Sequence, residues 1–250
     1  MGLSGLALVG RMTVEELMDR IESCVEQAGK LTITSVGFHS SNAMASNKTV
    51  EGIFRSFDVV LADGVAMIWA SRVLGRPLGY QHRIGGDIVA SHLYPIAASH
   101  GWGIFCLGGG NSGTVCRAAA NLTQAHPDLK IVGTHPWYAV SDSEDTKMAD
   151  TINRSGATIV LVGMGQPRQE AWIAANKDRV GAAIFIAVGG YFEHVARLAE
   201  CYPAWVYRWH FNWGYRLLRE PRRLWKRYSF GMLKFAFLVL NEKVNERRKT

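Results

Sequence analysis

Short apolar runs alternate along most of the chain with segments whose apolar residues recur at helical spacing. The apolar runs predict β-strands at about 31–36, 57–61, 102–107, 129–133, 157–163 and 182–188. The helical spacing predicts helices at about 13–28, 42–55, 64–74, 87–99, 111–124, 142–154 and 167–176. Strands that alternate with helices through short loops favour a parallel sheet. We therefore expect an α/β fold, a Rossmann-like, mainly parallel sheet with helices on both faces.

The pattern changes near residue 201, beyond which it is helical only and is divided by Pro221. Residues 1–204 carry 16 basic and 18 acidic side chains, whereas residues 205–250 carry 12 basic and 3 acidic ones. The net charge of +7 therefore arises in the last fifth of the chain, which also holds four of the eight tryptophans. We expect a catalytic domain at 1–200 and a basic, Trp-rich, helical appendage at 201–250.

The composition of this appendage suits an anionic membrane surface. Trp205, Trp209 and Trp213 are spaced by four, so a helix would place them in one aromatic stripe among many arginines. The apolar run 230–240 is shorter than the roughly 20 residues that a membrane span needs, so we expect it to lie in the interface. Two alternatives are an amphipathic helix packed on the core and a nucleic-acid-binding tail that uses arginine and tryptophan.

The N-terminus and the cysteines indicate in which cellular compartment the protein is expected. Residues 1–10 are apolar but lack a basic segment and a cleavage site, so no signal peptide is predicted. The four cysteines are scattered, without a C-x-x-C pair, and Cys106 lies inside an apolar strand as a core residue would. The histidines show no metal-binding spacing. A reduced, cytoplasmic compartment and no metal site are expected.

Glycines follow nearly every predicted strand, where open parallel sheets bind their ligands. After the fifth strand, Gly163 and Gly165 allow close approach of a ligand, and Pro167 suits the first position of a helix. Arg168, Gln169 and Glu170 then fall in a first helical turn, where free backbone amides favour an anion. An ordinary strand-to-helix turn with a solvated helix start is the alternative.

A second glycine loop, Gly108-x-Gly110-x-x-Gly113, matches the dinucleotide fingerprint and lies between a strand and a helix. The acidic residue that would hold a ribose is missing, because the next strand ends in Thr134-His135-Pro136. The loop predicts a phosphate or nucleotide site and argues against an NAD-dependent oxidoreductase.

Asp63 is the candidate general base, because it follows an apolar strand and precedes Gly64. We expect its carboxylate to stand at the crevice, where desolvation can raise its pKa. The alternative is a helix cap. Arg83 and Asp87 form either a substrate clamp or a loop arginine followed by an N-cap aspartate.

Six blocks in this order resemble the WecG/TagA/CpsF glycosyltransferases over about residues 13–228. The blocks are Ala62-Asp-Gly64, Arg83-Ile-Gly-Gly-Asp87, Leu107-Gly-Gly-Gly110, Val162-Gly-Met-Gly-Gln-Pro-Arg-Gln-Glu170, Val188-Gly-Gly-Tyr-Phe192 and Tyr215-Arg-Leu-Leu-Arg-Glu-Pro-Arg-Arg223. One departure is the first strand end, where Thr34-Ser-Val-Gly37 lacks the asparagine of the family's Thr-x-Asn, which puts substrate specificity in doubt.

The resemblance implies an inverting transfer of a sugar from a UDP-sugar to an undecaprenyl-diphosphate-linked sugar, in the synthesis of bacterial surface polymers. Asp63 matches the family's catalytic base, Gln169 a polar residue of the active site, and Arg216 and Arg223 the arginines that neutralise diphosphate. The implied location is peripheral, at the cytoplasmic face of the inner membrane. No cofactor, metal ion or nucleic-acid partner is expected, and the oligomeric state stays open, a homo-oligomer included.

The remaining expected substrate-binding residues are those of the strand ends, the loop at 83–87 and the appendage. They are Ser35, Gly37, Arg83, Asp87, Gly108, Gly109, Gly110, Gly163, Gly165, Gln166, Arg168, Gly189, Gly190, Tyr191 and Arg227.

Overall fold

The computed structural model describes residues 4–110, 112–136, 142–197, 218 and 221–248, with the backbone alone at 4, 112, 142–144 and 221–228. The strands are β1 (Leu31–Val36), β2 (Val59–Ala62), β3 (Ile104–Gly108), β4 (Ile131–His135), β5 (Ile159–Gly163) and β6 (Ile184–Ala187). The helices of the first half are α1 (Ser4–Leu8), α2 (Val14–Glu26), α3 (Phe38–Ser46), α4 (Lys48–Arg55), α5 (Val65–Val73) and α6 (Gly86–Ser99). Those of the second half are α7 (Ser112–Ala125), α8 (Asp142–Ser155), α9 (Arg168–Asn176), α10 (Tyr191–Val195) and α11 (Pro221–Arg247).

The six strands form one sheet in the order β2-β1-β6-β5-β3-β4, and every neighbouring pair is parallel. The α/β, Rossmann-like prediction is therefore confirmed. Apolar side chains cover both faces of the sheet, as a parallel sheet requires. One face packs against α1, α3, α4, α5, α8, α9 and α11, and the other against α2, α6, α7 and α10. Cys106 lies in the second core, where burial raises the pKa of its thiol to about 12.

Local sequence signals account for several helix boundaries. Helix α2 begins with a capping box, in which Thr13 and Glu16 each accept a hydrogen bond from the other's backbone amide. The single helix expected at 42–55 is two helices, because the Asn47 side chain accepts from the amides of Thr49 and Val50 and starts α4. Pro167 is the N-cap of α9 and not its first residue.

The last helix, α11, packs on the main domain through one of its faces. Phe235, Leu238 and Val239 are buried in the same core as α3 and α5. Asn42 donates a hydrogen bond to the carbonyl of Gly231 at 2.7 Å, so polar contacts also hold this helix. This packing agrees with the alternative of an amphipathic helix packed on the core, for the part of the appendage whose side chains are described. The division into a domain at 1–200 and an appendage at 201–250 stays a prediction.

The opposite face of α11 is apolar and exposed. Phe230, Leu233, Phe237, Leu240 and Val244 follow one another at intervals of three and four residues, so they share one side of the helix. Within the described residues, no helix is long and apolar enough to cross a bilayer.

Candidate active site

The carboxyl ends of the strands meet at one edge of the sheet, which brings most of the predicted site residues to that edge. Strands β3 and β5 are neighbours, but β3 connects to β4 on one side and β5 connects to β6 on the other. Such a reversal opens a crevice between the two strand ends. The loops Gly108–Gly110 and Gly163–Gly165 border this crevice, and Gly189 and Gly190 follow the next strand, β6.

Close packing explains the glycines beside the crevice. A Cβ placed on Gly108 would lie 2.2 Å from the carbonyl oxygen of Gly163, and the amide of Gly109 donates to that oxygen at 3.0 Å. Gly109 and Gly110 have φ angles of +82° and +61°, which L side chains rarely adopt. Since Gly110 is exposed, backbone from this loop is open to a ligand.

Asp63 and Asp87 both bring a carboxylate oxygen close to Gly85. A Cβ placed on Gly85 would be 2.7 Å from an oxygen of Asp87 and 3.1 Å from one of Asp63. The backbone fixes this approach, because the amide of Ile84 donates to the carbonyl of Ala62 at 2.9 Å. Arg83 is thereby paired with Ala62, one residue before Asp63.

Neither aspartate is an N-cap, the alternative that the sequence offered for both. Helix α5 begins at Val65 with Gly64 as its N-cap, and α6 has Gly85 as its N-cap. The expected desolvation of Asp63 is wrong, because the structure leaves this residue exposed. An exposed carboxylate at a strand end can still reach a substrate hydroxyl, and Asp87 in the first turn of α6 is half-buried.

The polar side chains around α9 face the protein. Gln169 is 1% exposed, and its side-chain amide contacts Glu170 and the backbone amide of Gly189, so its predicted active-site role stays a prediction. Gln166 donates to the carbonyl of Ser35. Tyr191 is buried as well, and its hydroxyl accepts a hydrogen bond from Tyr94 at 2.8 Å.

Glu170 is fully buried beside these amides. Burial raises the pKa of its carboxyl, and hydrogen bonds from Gln169, Thr34 and Gln166 oppose that rise. Arg168, by contrast, is exposed at the first position of α9.

Glu193 is a further carboxylate at this edge of the sheet that the sequence patterns did not indicate. Its carboxylate lies in α10 between two glycine loops, 4.0 Å from a Cβ placed on Gly110 and 3.5 Å from one placed on Gly190. One oxygen, Oε2, is buried without a hydrogen-bond partner among the described residues. A carboxylate so placed can accept hydrogen bonds from ligand hydroxyls. The position of Glu193 just beyond Gly189-Gly190 was the signal in the sequence that could have indicated it.

The appendage arginines are only partly described. Arg216 lies outside the described residues, and Arg223 and Arg227 lie on α11 within the part whose side chains are not described. Their roles stay predictions. No group of three or more His, Cys, Asp or Glu side chains in the described ranges is arranged to hold a metal ion.

Comparison with known proteins identifies the family. The model of the glycosyl transferase WecG/TagA/CpsF family matches residues 3–249. An N-acetylglucosaminyldiphosphoundecaprenol N-acetyl-beta-D-mannosaminyltransferase of Bacillus subtilis is 27% identical over 223 residues, 89% of this chain and 84% of that protein. A protein of the same name from Staphylococcus aureus is 27% identical over 75% of this chain and 71% of its own length. The chain therefore belongs to the WecG/TagA/CpsF family of glycosyltransferases.

Proposed function

We propose that this glycosyltransferase moves a hexose, such as an N-acetylmannosamine-type sugar, from UDP to a sugar carried on undecaprenyl diphosphate. The observation that carries the proposal is the exposed carboxylate of Asp63 at the same sheet edge as the glycine loops. Three strand spacings of about 4.8 Å put the ends of β2 and β5 about 14 Å apart. An extended UDP-sugar can bridge such a distance, and the names of the relatives support the lipid-linked acceptor.

The proposed reaction is an inverting displacement. The nucleotide lies over the crevice between β3 and β5, and the donor sugar extends toward β2. Asp63 takes the proton of the acceptor hydroxyl as its oxygen bonds to the anomeric carbon, on the face opposite UDP. The bond from that carbon to the diphosphate breaks, and its electron pair leaves with UDP.

The leaving diphosphate needs positive charge. The N-termini of α7 and α9 lie at the two glycine loops and present backbone amides and a positive dipole end. Arg168 follows the loop Gly163–Gly165 by three positions, and Arg83 is bridged to Ala62 beside Asp63. We expect the appendage to supply Arg216, Arg223 and Arg227, and the reaction to need neither a metal ion nor a cofactor.

A direct test is transfer by the full-length protein in the presence of liposomes. A panel of UDP-sugars is offered with a lipid-diphosphate N-acetylglucosamine acceptor, and both UDP release and the lipid product are measured. One donor should be consumed only when the acceptor is present, and Asp63→Asn should slow its use by at least about a hundredfold. The proposal fails if no donor is consumed, or if the variant matches the parent.

The proposed location is peripheral, on the cytoplasmic face of the bacterial inner membrane. The exposed apolar face of α11 supports this location, because Arg247 at the end of the helix and Arg248 just beyond it are basic and exposed. Trp69 and Val73 of α5 are exposed too, and Arg76 in the loop after α5 forms an ion pair with Glu246 of α11 at 3.0 Å. Apolar side chains beside basic ones suit an anionic headgroup layer. The relatives give no support to the nucleic-acid alternative.

Liposome sedimentation tests the membrane face. The double variant Phe237→Glu with Leu240→Glu should lose binding to vesicles that contain phosphatidylglycerol, because it removes apolar area and adds charge. The matched control, Asn241→Glu with Asn245→Glu, makes the same charge change at exposed polar positions of α11. It should retain most of the binding. Equal loss in both pairs would show that charge alone holds the protein to the vesicle and that the apolar face has no role.

A further inference from the structure

Glu170 is an acid that the proposed reaction does not use. It lies in the first turn of α9 and is 0% exposed, so no substrate proton can reach it in this structure. Buried carboxyl groups are costly unless hydrogen bonds compensate them. The surroundings of Glu170 therefore need an explanation of their own.

A single oxygen of Glu170 collects three hydrogen bonds. Oε1 accepts from the hydroxyl of Thr34 at 2.9 Å, from the amide of Gln169 at 2.9 Å and from the amide of Gln166 at 3.2 Å. All three donors are neutral, and they come from β1, from α9 and from the loop before it. The other oxygen, Oε2, is buried and has no hydrogen-bond partner within the described part of the chain.

The two glutamines extend these contacts to the strand ends. The amide of Gln166 also donates to the carbonyl of Ser35 at 2.6 Å, and the side-chain oxygen of Gln169 accepts from the backbone amide of Gly189 at 3.0 Å. We call Thr34, Gln166, Gln169 and Glu170 the Glu170 network. It joins the ends of β1, β6 and β5, which are neighbours in the sheet.

Core packing alone does not require this network. Trp172 and Ile173 of α9 are buried apolar residues that already attach the helix to the sheet. An apolar residue at 170 would avoid the cost of a buried carboxyl. What an apolar residue cannot do is orient two amides whose other contacts are backbone groups at the predicted substrate-binding edge.

We propose that Glu170 is the positioning residue of the donor site. Through Gln166 and Gln169 it fixes the carbonyl of Ser35 and the amide of Gly189 at the edge where the UDP-sugar binds. This inference rests on the proposed function for the identity of the ligand, but the positioning itself can be measured without any ligand.

The test compares Glu170→Met, which removes the acceptor, with Glu170→Gln, which keeps one oxygen and the shape. Ile173→Ala is the matched control, because it destabilises the same buried helix without touching the network. Hydrogen exchange at Gly189 without ligand, the thermal midpoint, and kcat and KM for the donor are measured for each variant. If Glu170→Met does not fold, Gln166→Leu takes its place, because it removes the hydrogen bonds from Gln166 to Ser35 and to Glu170.

Glu170→Met should speed hydrogen exchange at the amide of Gly189. After correction for any difference in thermal midpoint, it should also lower kcat/KM for the donor about tenfold more than Ile173→Ala does. A tenfold difference corresponds to the loss of one hydrogen bond. Glu170→Gln should restore most of that loss. Unchanged exchange, or activity that depends only on the thermal midpoint, would overturn the inference. A parent protein that consumes no UDP-sugar would instead overturn the proposed function.

Discussion

Asp63 and Glu170 are two acids at the same edge of the sheet with opposite surroundings. Asp63 follows β2 and is exposed, whereas Glu170 is fully buried and receives hydrogen bonds from three neutral side chains. A general base must come within hydrogen-bond reach of the proton that it takes. Of these two acids only Asp63 has that access, so we expect Asp63 to act in the reaction and Glu170 to support the site.

Asp63→Asn should give the largest effect. We expect kcat to fall by roughly 10²–10⁴-fold, the usual contribution of a general base. The thermal midpoint should hardly change, because substitutions at exposed positions usually alter stability by less than about 0.5 kcal/mol. Steady-state kinetics and a melting curve measure both quantities.

Asp87→Asn is the control for Asp63, since its carboxylate contacts the same glycine position. Its loss of kcat should be smaller. If kcat falls as much in Asp87→Asn as in Asp63→Asn, then Asp63 and Asp87 act together, and Asp63 is not the sole base.

Thr34→Val should give an intermediate effect on both properties. It removes one donor to Glu170 with little change of shape, so we expect a loss of about 1 kcal/mol in the free energy of unfolding. The KM for the donor should rise. Thr32→Val is matched to it, because Thr32 is a buried residue of the same strand that donates to Asp58 at 2.7 Å. Urea denaturation should show a similar loss for Thr32→Val, but a rise in its donor KM would contradict the comparison.

The pH dependence of stability should give the smallest effect. Burial raises the pKa of Glu170 above its ordinary value of 4.5, so the folded protein holds this proton more tightly than the unfolded chain. The stabilisation is complete below the ordinary pKa and is lost as pH rises through the folded value. Glu170→Gln does not titrate, so its free energy of unfolding should improve relative to that of the parent as the pH rises from the ordinary pKa of 4.5 through the raised pKa of the folded protein. A constant difference would mean that Glu170 has an ordinary pKa.

Several elements were predictable because their signals are local. The capping box at Thr13 and Glu16 marked the start of α2, and the β-branched run at 31–36 matched β1 residue for residue. The helix expected at 42–55 was wrong, because this part of the chain forms two helices that begin at Phe38 and Lys48, with Asn47 as the cap of the second. The sequence pattern does not distinguish an asparagine inside a helix from one that caps it. The backbone hydrogen bonds that its side chain accepts in the structure do distinguish them.

The candidate site was predictable in its members but not in their arrangement. Glycines after strands and an aspartate before Gly64 are visible in the chain, and parallel strands bring such ends together. The exposure of each side chain cannot be read from the sequence, which favoured a desolvated Asp63 and a Gln169 that faces the substrate. Their surroundings depend on the order of the strands, which no local pattern encodes.

The sequence by itself determined the alternation of strands and helices, the glycine loops and the family, because each depends on residues close together in the chain. Only the tertiary structure decided that Glu170 is buried, since its contact with Thr34 spans 136 positions. It likewise decided that one face of α11 joins the core at Phe235 and leaves Phe237 exposed. Burial is set by whichever distant segment packs on a residue, so it emerges only when the whole sheet has assembled.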